Sequence, residues 1–185
     1  MMVSWIQSNY RGMGSGLVAD DGEGNPLGFM FQDRGELFAL SDGHPNLYAP
    51  GKRPFHTIIP GFACKGGEPW MAYGVMGGGM QPQGQAQIII NMVDYGLDPQ
   101  EAGDSPRWQH EGSSEPTGHP AEGVGVLHLE TGVPVATKAQ LAAMGWVLGG
   151  PNGGFGGYQN VVRQGNAHGP WTYGAATEMR KDGIA

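Results

Sequence analysis

The amino-acid sequence predicts an α+β fold, a mainly antiparallel sheet with helices on one face. Three observations predict it. Apolar runs of strand length recur along the 185 residues, separated by turns that draw on 35 glycines and 14 prolines. The order reads strands, a helix pair, a strand, a helix and a last strand pair, which segregates helices from sheet instead of alternating them. Five tryptophans are spread along the chain, which argues for many short elements and not for disorder.

Composition narrows the partners and the chemistry. The chain is long enough for one domain with its own core, and it is read as a single domain over residues 1–185. Net charge is −7 with only 10 Lys+Arg and no basic run, which speaks against nucleic-acid binding. No apolar run is long enough to span a membrane, and no signal peptide opens the chain, so the compartment stays open. The lone cysteine, Cys64, is read as a plain thiol of the core or near-surface. The six histidines show no H-x-x-x-H pair, so neither metal nor cofactor is expected. His128 lies in an apolar run and is read as a structural histidine. Both chain ends read as cuts through a larger chain.

The elements follow in order. Met2 to Ser8 alternates weakly and reads as a strand. Asn9 to Gly16 is a glycine-rich loop that matches no nucleotide motif. Asp20 to Asn25 is a polar turn, and Leu27 to Gln32 is a strand apolar enough to be buried on both faces. Asp33 to Pro54 is a long loop of the kind that often carries function. Phe55 to Ala63 reads as a strand, Lys65-Gly66-Gly67-Glu68 as a hairpin turn, and Pro69 to Val75 as the returning partner.

Gly77, Gly78 and Gly79 come next, between that strand and a helix expected to begin near Gln83. Consecutive glycines turn tightly and leave amides uncovered by any Cβ. At a strand-to-helix junction such amides suit a phosphate, a carboxylate or the oxyanion of acyl transfer. The helix is expected to bury Ile88, Ile89, Met92 and Val93 and to stop at Gly96. Asp98-Pro99-Gln100-Glu101 spells an N-cap, a proline at the first helical position and a capping box. Ser105 to His110 is extended, Glu111 to Gly123 turn-rich, and Val124 to Leu129 a strand. Pro134 to Met144 reads as a helix burying Val135, Leu141 and Met144, with Gly145 as its stop. A second glycine-rich loop, Gly149 to Gly157, leads to strands at Tyr158–Arg163 and Trp171–Ala175.

Taken together, the motifs resemble the γ-glutamyltranspeptidase family. The likeness runs in order through Ile6-Gln7-Ser8-Asn9-Tyr10 with Gly14-Ser15-Gly16, Pro50 to Thr57, Gly77-Gly78 with Asp94 to Leu97, Glu101-Ala102 through Arg107, and Tyr173 to Gly183. The resemblance implies an N-terminal-nucleophile hydrolase fold, an αββα sandwich, of which the chain is most of the small subunit. It implies a threonine nucleophile upstream of Met1, a large-subunit partner together with the first part of the small subunit, and a small γ-glutamyl amide as donor. It places Gly77 and Gly78 as oxyanion donors and His56 and Thr57 where the family binds the substrate carboxylate. It also places Ser8, Asn9 and Tyr10 near the substrate.

Where the family carries a glutamine and an aspartate, this chain has Arg34 and Leu37, with Glu36 adjacent. An arginine there favours an added carboxylate on the substrate, so a cephalosporin or glutaryl acylase is the alternative reading. A binding scaffold without catalysis is a third.

Overall fold

A computed structural model describes residues 1–112, 123–165 and 169–185. Most of the turn-rich stretch predicted from Glu111 to Gly123, with His119, lies outside the described residues, as does His168. Two compact units divide the chain: Met1–Ile6, Ile59–Ser113 and Glu122–Ala185 form one, Gln7–Ile58 and Ser114–Ala121 the other.

The smaller unit opens with a hairpin of β1 (Val18–Asp20) and β2 (Pro26–Met30). Its turn is the predicted polar one. The Asp21 carboxylate accepts from Asn25 Nδ2 at 2.8 Å and from the amides of Glu23 and Asn25 at 2.8 and 3.1 Å. The strand expected to be buried on both faces is instead open, with Leu27 at 52% and Phe29 at 53% exposure. A two-stranded ribbon has no second layer in this unit to cover it. A single 3-10 turn, Arg34–Leu37, interrupts the loop that follows. Ala39 then bridges to Leu47.

The larger unit is built on a four-stranded antiparallel sheet and a three-stranded one. β3 (Gly61–Lys65) and β4 (Glu68–Met76) form the predicted hairpin around Gly66-Gly67. The strand expected from Phe55 starts only at Gly61, because Pro60 has no amide to give a ladder. Glutamine side chains take over the backbone before it: Gln81 Oε1 accepts from the Ile59 amide at 3.4 Å, and Gln85 Nε2 donates to the Ile59 carbonyl. The N-terminal residues form no strand either. The segment is held by Ser4 Oγ donating to the Tyr73 carbonyl at 2.9 Å.

After the glycines come α1 (Met80–Val93) and α2 (Pro99–Asp104). Helix α1 starts three residues earlier than expected. The Met80 and Gln81 amides bond to the carbonyls of Gly77 and Gly78 at 3.1 Å each, and Pro82 sits in the first turn, where its missing N–H costs nothing. The buried stripe therefore runs Met80, Gln81, Gly84, Gln87, Ile88. Val93 is 59% exposed, against expectation. Gly96 takes φ +70° beyond the helix end, and the Leu97 amide returns to the Asn91 carbonyl at 3.0 Å. The capping box of α2 is present: Asp98 Oδ1 accepts from the Glu101 amide at 2.8 Å and Glu101 Oε2 from the Asp98 amide at 3.0 Å.

β5 (Trp108–Glu111), β6 (Val126–Leu129) and β7 (Leu148–Gly149) make the smaller sheet, antiparallel then parallel. Helix α3 (Val135–Ala143) buries none of its residues, and Val135 and Met144 are 82% and 75% exposed, which corrects the expected core contacts. β8 (Gly157–Gln164) and β9 (Thr172–Thr177) complete the larger sheet in the order β3-β4-β8-β9. Its core is Val75, Ile88, Tyr158 and Ala176, with Tyr73 and Met92 packed alongside. Tyr158 touches both helices: Ile88 packs on it, and a Cβ on Gly103 would stand 2.6 Å from its ring. Both helices thus lie on one face. This unit is α+β, with mainly antiparallel sheets.

Candidate functional site

The glycine bend leaves β4 and enters α1 without an intervening loop. Gly77 has φ +125° and Gly78 φ +59°, a region that L side chains avoid, so glycine is required at both. Their carbonyls are committed to opening α1. Among the described residues no carbonyl or side chain accepts from the amides of Gly77 or Gly78, and both glycines are exposed. Uncapped amides at the start of a 14-residue helix carry the positive end of its dipole. Chemically, such a pair can stabilise an oxygen that gains negative charge when a hydroxyl attacks an amide carbonyl.

What holds the bend is a partner the sequence reading did not single out. Gly156, in the second glycine loop, lies so close that a Cβ on Gly77 would stand 3.0 Å from its Cα. A Cβ on Gly156 itself would fall 2.4 Å from the Met76 carbonyl. Arg107 anchors this loop from behind: its Nη1 donates to the Phe155 carbonyl at 2.8 Å and its Nη2 to Gly103 at 3.1 Å.

Arg107 is 1% exposed and, with buried Glu178, belongs to a set of charges that part-buried Arg180 and Glu130 complete. Arg180 donates to both oxygens of Glu130, at 2.7 and 2.6 Å, and to Glu178 Oε2 at 2.5 Å. Glu178 Oε2 lies 3.7 Å from Arg107 Nη1. Burial, then the like charge of Arg180, pulls the Arg107 guanidinium below its ordinary range, while Glu178 and Glu130 oppose that pull. Burial alone would raise the Glu130 carboxyl, but the Arg180 hydrogen bond, the Arg107 amide and both guanidinium charges hold it below the usual carboxylate range. A cleft of about 460 Å³ opens beside Glu130, Phe155 and Arg180. Ser105-Pro106-Arg107 and Arg180 stood in the ordered motifs, but their acidic partners lie 50 residues or more from Arg180 or two away, a pairing no local pattern announces.

The remaining predicted site residues belong to the smaller unit. Arg34 is 2% exposed, and its Nη1 donates to Thr57 Oγ1. The Arg34 guanidinium sits 5.2 Å from the centre of the Tyr10 ring. Tyr10 has φ +77°, the one non-glycine residue in that region among those described, and its amide donates to Ser8 Oγ at 3.0 Å. Ser8, Tyr10, Arg34 and Thr57 are therefore drawn together. Glu36 joins through Arg11, which it meets at 2.8 Å while Arg11 stacks 5.6 Å from the Tyr10 ring. Asn9 contributes its carbonyl to the Asp33 amide at 3.2 Å and its Oδ1 to Gln7 at 3.3 Å. His56 is exposed, and its Nδ1 accepts from the Ile58 amide at 3.1 Å, so the ring is tied to backbone and not to Arg34.

His128 is held between the Gly150 carbonyl at 3.0 Å and Glu111 at 3.2 Å, as a structural histidine is. Among the described residues no cluster of three His, Cys, Asp or Glu is placed to hold a metal ion. Among them too, no helix is long and apolar enough to cross a membrane.

Comparison with known proteins places this arrangement. The chain is 47% identical over 106 residues to the glutathione hydrolase-like YwrD proenzyme of Bacillus subtilis, an alignment covering 57% of the chain and 19% of that relative. It thus spans about a fifth of that relative's length. Its fold superposes on the crystal structure of cephalosporin acylase from Bacillus halodurans with a TM-score of 0.77 and 38% identity, covering 97% of this chain and 30% of that one. It superposes on the T380A mutant of Helicobacter pylori γ-glutamyltranspeptidase with a TM-score of 0.76 and 22% identity, covering 97% and 93%, which bears on fold alone. The family model described as gamma-glutamyltranspeptidase matches residues 1–185 throughout. A glycine bend with open amides, a helix that starts on it and the motifs around both thus sit in one continuous match, and the chain belongs to the γ-glutamyltranspeptidase family.

Proposed function

We propose that the chain is part of an amidase or acyltransferase that moves a γ-glutamyl-type acyl group from an amide to water or to an amine. The observation that carries this reading is the pair of open amides at Gly77 and Gly78, held at the head of α1. In it, a hydroxyl attacks the amide carbonyl, the carbonyl oxygen takes its negative charge against these two N–H groups, and the amine leaves from an acyl-enzyme. Water or a second amine then releases the acyl group.

The nucleophile comes from outside these residues. Three serine hydroxyls, those of Ser4, Ser15 and Ser105, are each committed to a backbone carbonyl, at 2.9, 2.9 and 2.7 Å. The family pattern supplies a threonine for the task, with a large subunit and the first part of the small one as partners. The 185 residues act within that small subunit. Arg34, Thr57 and His56 hold the substrate carboxylate, with Ser8, Asn9, Tyr10 and Glu36 around it. Likeness to a cephalosporin acylase at 38% identity favours a second reading in which the acyl group is not glutamyl.

The test is γ-glutamyl-p-nitroanilide cleavage by the complete protein, with the Gly78 amide replaced by an ester through semisynthesis. Removing one oxyanion donor lowers kcat by roughly 10²–10³. An ester protein with unchanged kcat, or steady cleavage by the purified 185-residue chain alone, refutes the reading.

A further inference from the structure

We infer that His128, Glu111 and Asn152 are positioning residues for the glycine bend, and that they hold it fully only while the His128 ring carries a proton on both nitrogens. The inference rests on the proposed role of Gly77 and Gly78 and adds to it a pH switch away from the reacting groups.

The bend leans on the second glycine loop. A Cβ on Gly77 would stand 3.0 Å from Gly156 Cα, and a Cβ on Gly156 would stand 2.4 Å from the Met76 carbonyl. Packing that close passes a displacement of the loop on to the bend. Arg107 grips the loop at the Phe155 carbonyl, but its first half has other anchors. Asn152 Oδ1 accepts from the Gly154 amide at 2.9 Å, and Asn152 Nδ2 donates to Gln109 Oε1 at 3.1 Å and to Glu111 Oε1 at 3.2 Å. The Gly150 carbonyl lies 3.0 Å from His128 Nδ1, and Glu111 Oε2 lies 3.2 Å from His128 Nε2. One imidazole thus serves two anchors, Gly150 directly and Asn152 through the Glu111 carboxylate. All of these residues belong to the larger unit.

A backbone carbonyl and an ionised carboxylate can only accept. The imidazolium donates to both, whereas the neutral ring has one N–H and one lone pair. Whichever nitrogen gives up its proton, a lone pair then faces an oxygen at 3.0 or 3.2 Å, and that contact is lost. Histidine is the side chain that ordinarily changes charge between about pH 5 and 8. The strands beside the ring bring it neutral neighbours, Gln109 opposite on β5 and Gly149 on β7. Among the described residues Glu111, diagonal to it on β5, is the charged group within ion-pair distance. Its side chain is 54% exposed, so the pair adds little stability by itself. Its consequence is geometric: both anchors hold in acid, one is released as pH rises, and the loop then holds the bend less firmly.

Hydrogen–deuterium exchange of residues 77–80 and 149–157 in the complete protein, corrected for the intrinsic effect of pH on exchange, is followed from about pH 5.5 to about 8.5 alongside kcat for γ-glutamyl-p-nitroanilide. Protection of both segments is expected to fall about fivefold with rising pH, as for loss of one hydrogen bond. Glu111→Gln offers the ring a donor as well as an acceptor and is expected to keep its protection throughout. His128→Phe removes both ring nitrogens and is expected to stay at the low level at every pH. Glu111→Gln changes an exposed group, so the test holds even where the Phe variant does not fold. The ratio of parent to Glu111→Gln kcat is expected to fall about fivefold over the same range, a readout from which titration of the nucleophile, common to both proteins, cancels. Protection that does not change in the parent, or that changes equally in Glu111→Gln, overturns the inference. The expected exchange pattern with no anilide cleaved leaves the switch standing and removes the amidase reading. Cleavage with a kcat ratio flat in pH removes the positioning role and leaves the amidase reading intact.

Discussion

Gly77 and Gly78 sit side by side, yet the structure assigns them different costs of substitution. A Cβ on Gly78 meets nothing within 4 Å, so Gly78→Ala pays only for φ +59°, about 1–2 kcal/mol. A Cβ on Gly77 adds a contact of 3.0 Å with the Gly156 backbone to a φ of +125°, and backbone cannot swing aside. Gly77→Ala is expected to cost more than its neighbour, by about 1–3 kcal/mol of added strain. Paired denaturant titrations measure the difference, and equal midpoints for the two variants contradict the contact. The need for glycine here was legible, because three in a row between strand and helix have few other uses. The hidden partner was not, because Gly156 lies 79 residues further on and touches Gly77 only after β4 and β8 have paired.

Helix α1 shows how an element can serve as the edge of a sheet. Gln83 and Gln87, four apart, face strand β5 with their amide groups. Gln87 Oε1 accepts from the Trp108 amide at 3.0 Å and its Nε2 donates to the Trp108 carbonyl at 2.9 Å. Gln83 repeats the pattern on His110, at 2.7 and 3.0 Å. Two side chains thus stand in for the missing neighbour strand and satisfy four backbone groups. Gln87→Leu keeps the volume and removes the pairing, so a part-buried amide and carbonyl of Trp108 lose their partners, at about 1 kcal/mol each. Thermal unfolding is the measurement, and a melting temperature at or above that of the parent would falsify the pairing. The glutamines also explain why the expected apolar stripe of this helix was misplaced. Periodicity counts only apolar residues, whereas here the buried face includes Gln81 and Gln87, buried because their amides are fully engaged. The capping box of α2, by contrast, was readable in full, since its two hydrogen bonds close within four residues.

Across the molecule, the buried charges of the larger unit tie three distant stretches of chain. Arg180 near the C-terminus bonds Glu130 before α3 and the carbonyls of Gly103 and Ser105 at the end of α2. Glu130 is held below its ordinary value of 4.5, so the folded state binds its proton less readily than the unfolded chain. Its contribution to stability is complete above that value and is lost as pH falls below it toward the folded pKa. Glu130→Gln is expected to lower stability at pH 7 and to flatten the decline in acid. Urea unfolding from pH 7 down to about 3 reads both effects, and a variant whose acid decline parallels the parent's would assign the linkage elsewhere.

The sequence by itself determined the α+β class, the glycine bend, the hairpin at Gly66-Gly67, the capped helix α2 and the family likeness. Each of these rests on residues close together along the chain or on motifs kept in order. Only the tertiary structure decided that Gly156 and Arg107 brace the bend, that buried Arg34 donates to Thr57 beside the Tyr10 ring and that Val135, Met144 and Leu27 lie open to solvent. Burial, ion pairing and steric fit are properties of neighbours in space, and a chain acquires those neighbours only when its sheets and helices have closed on one another.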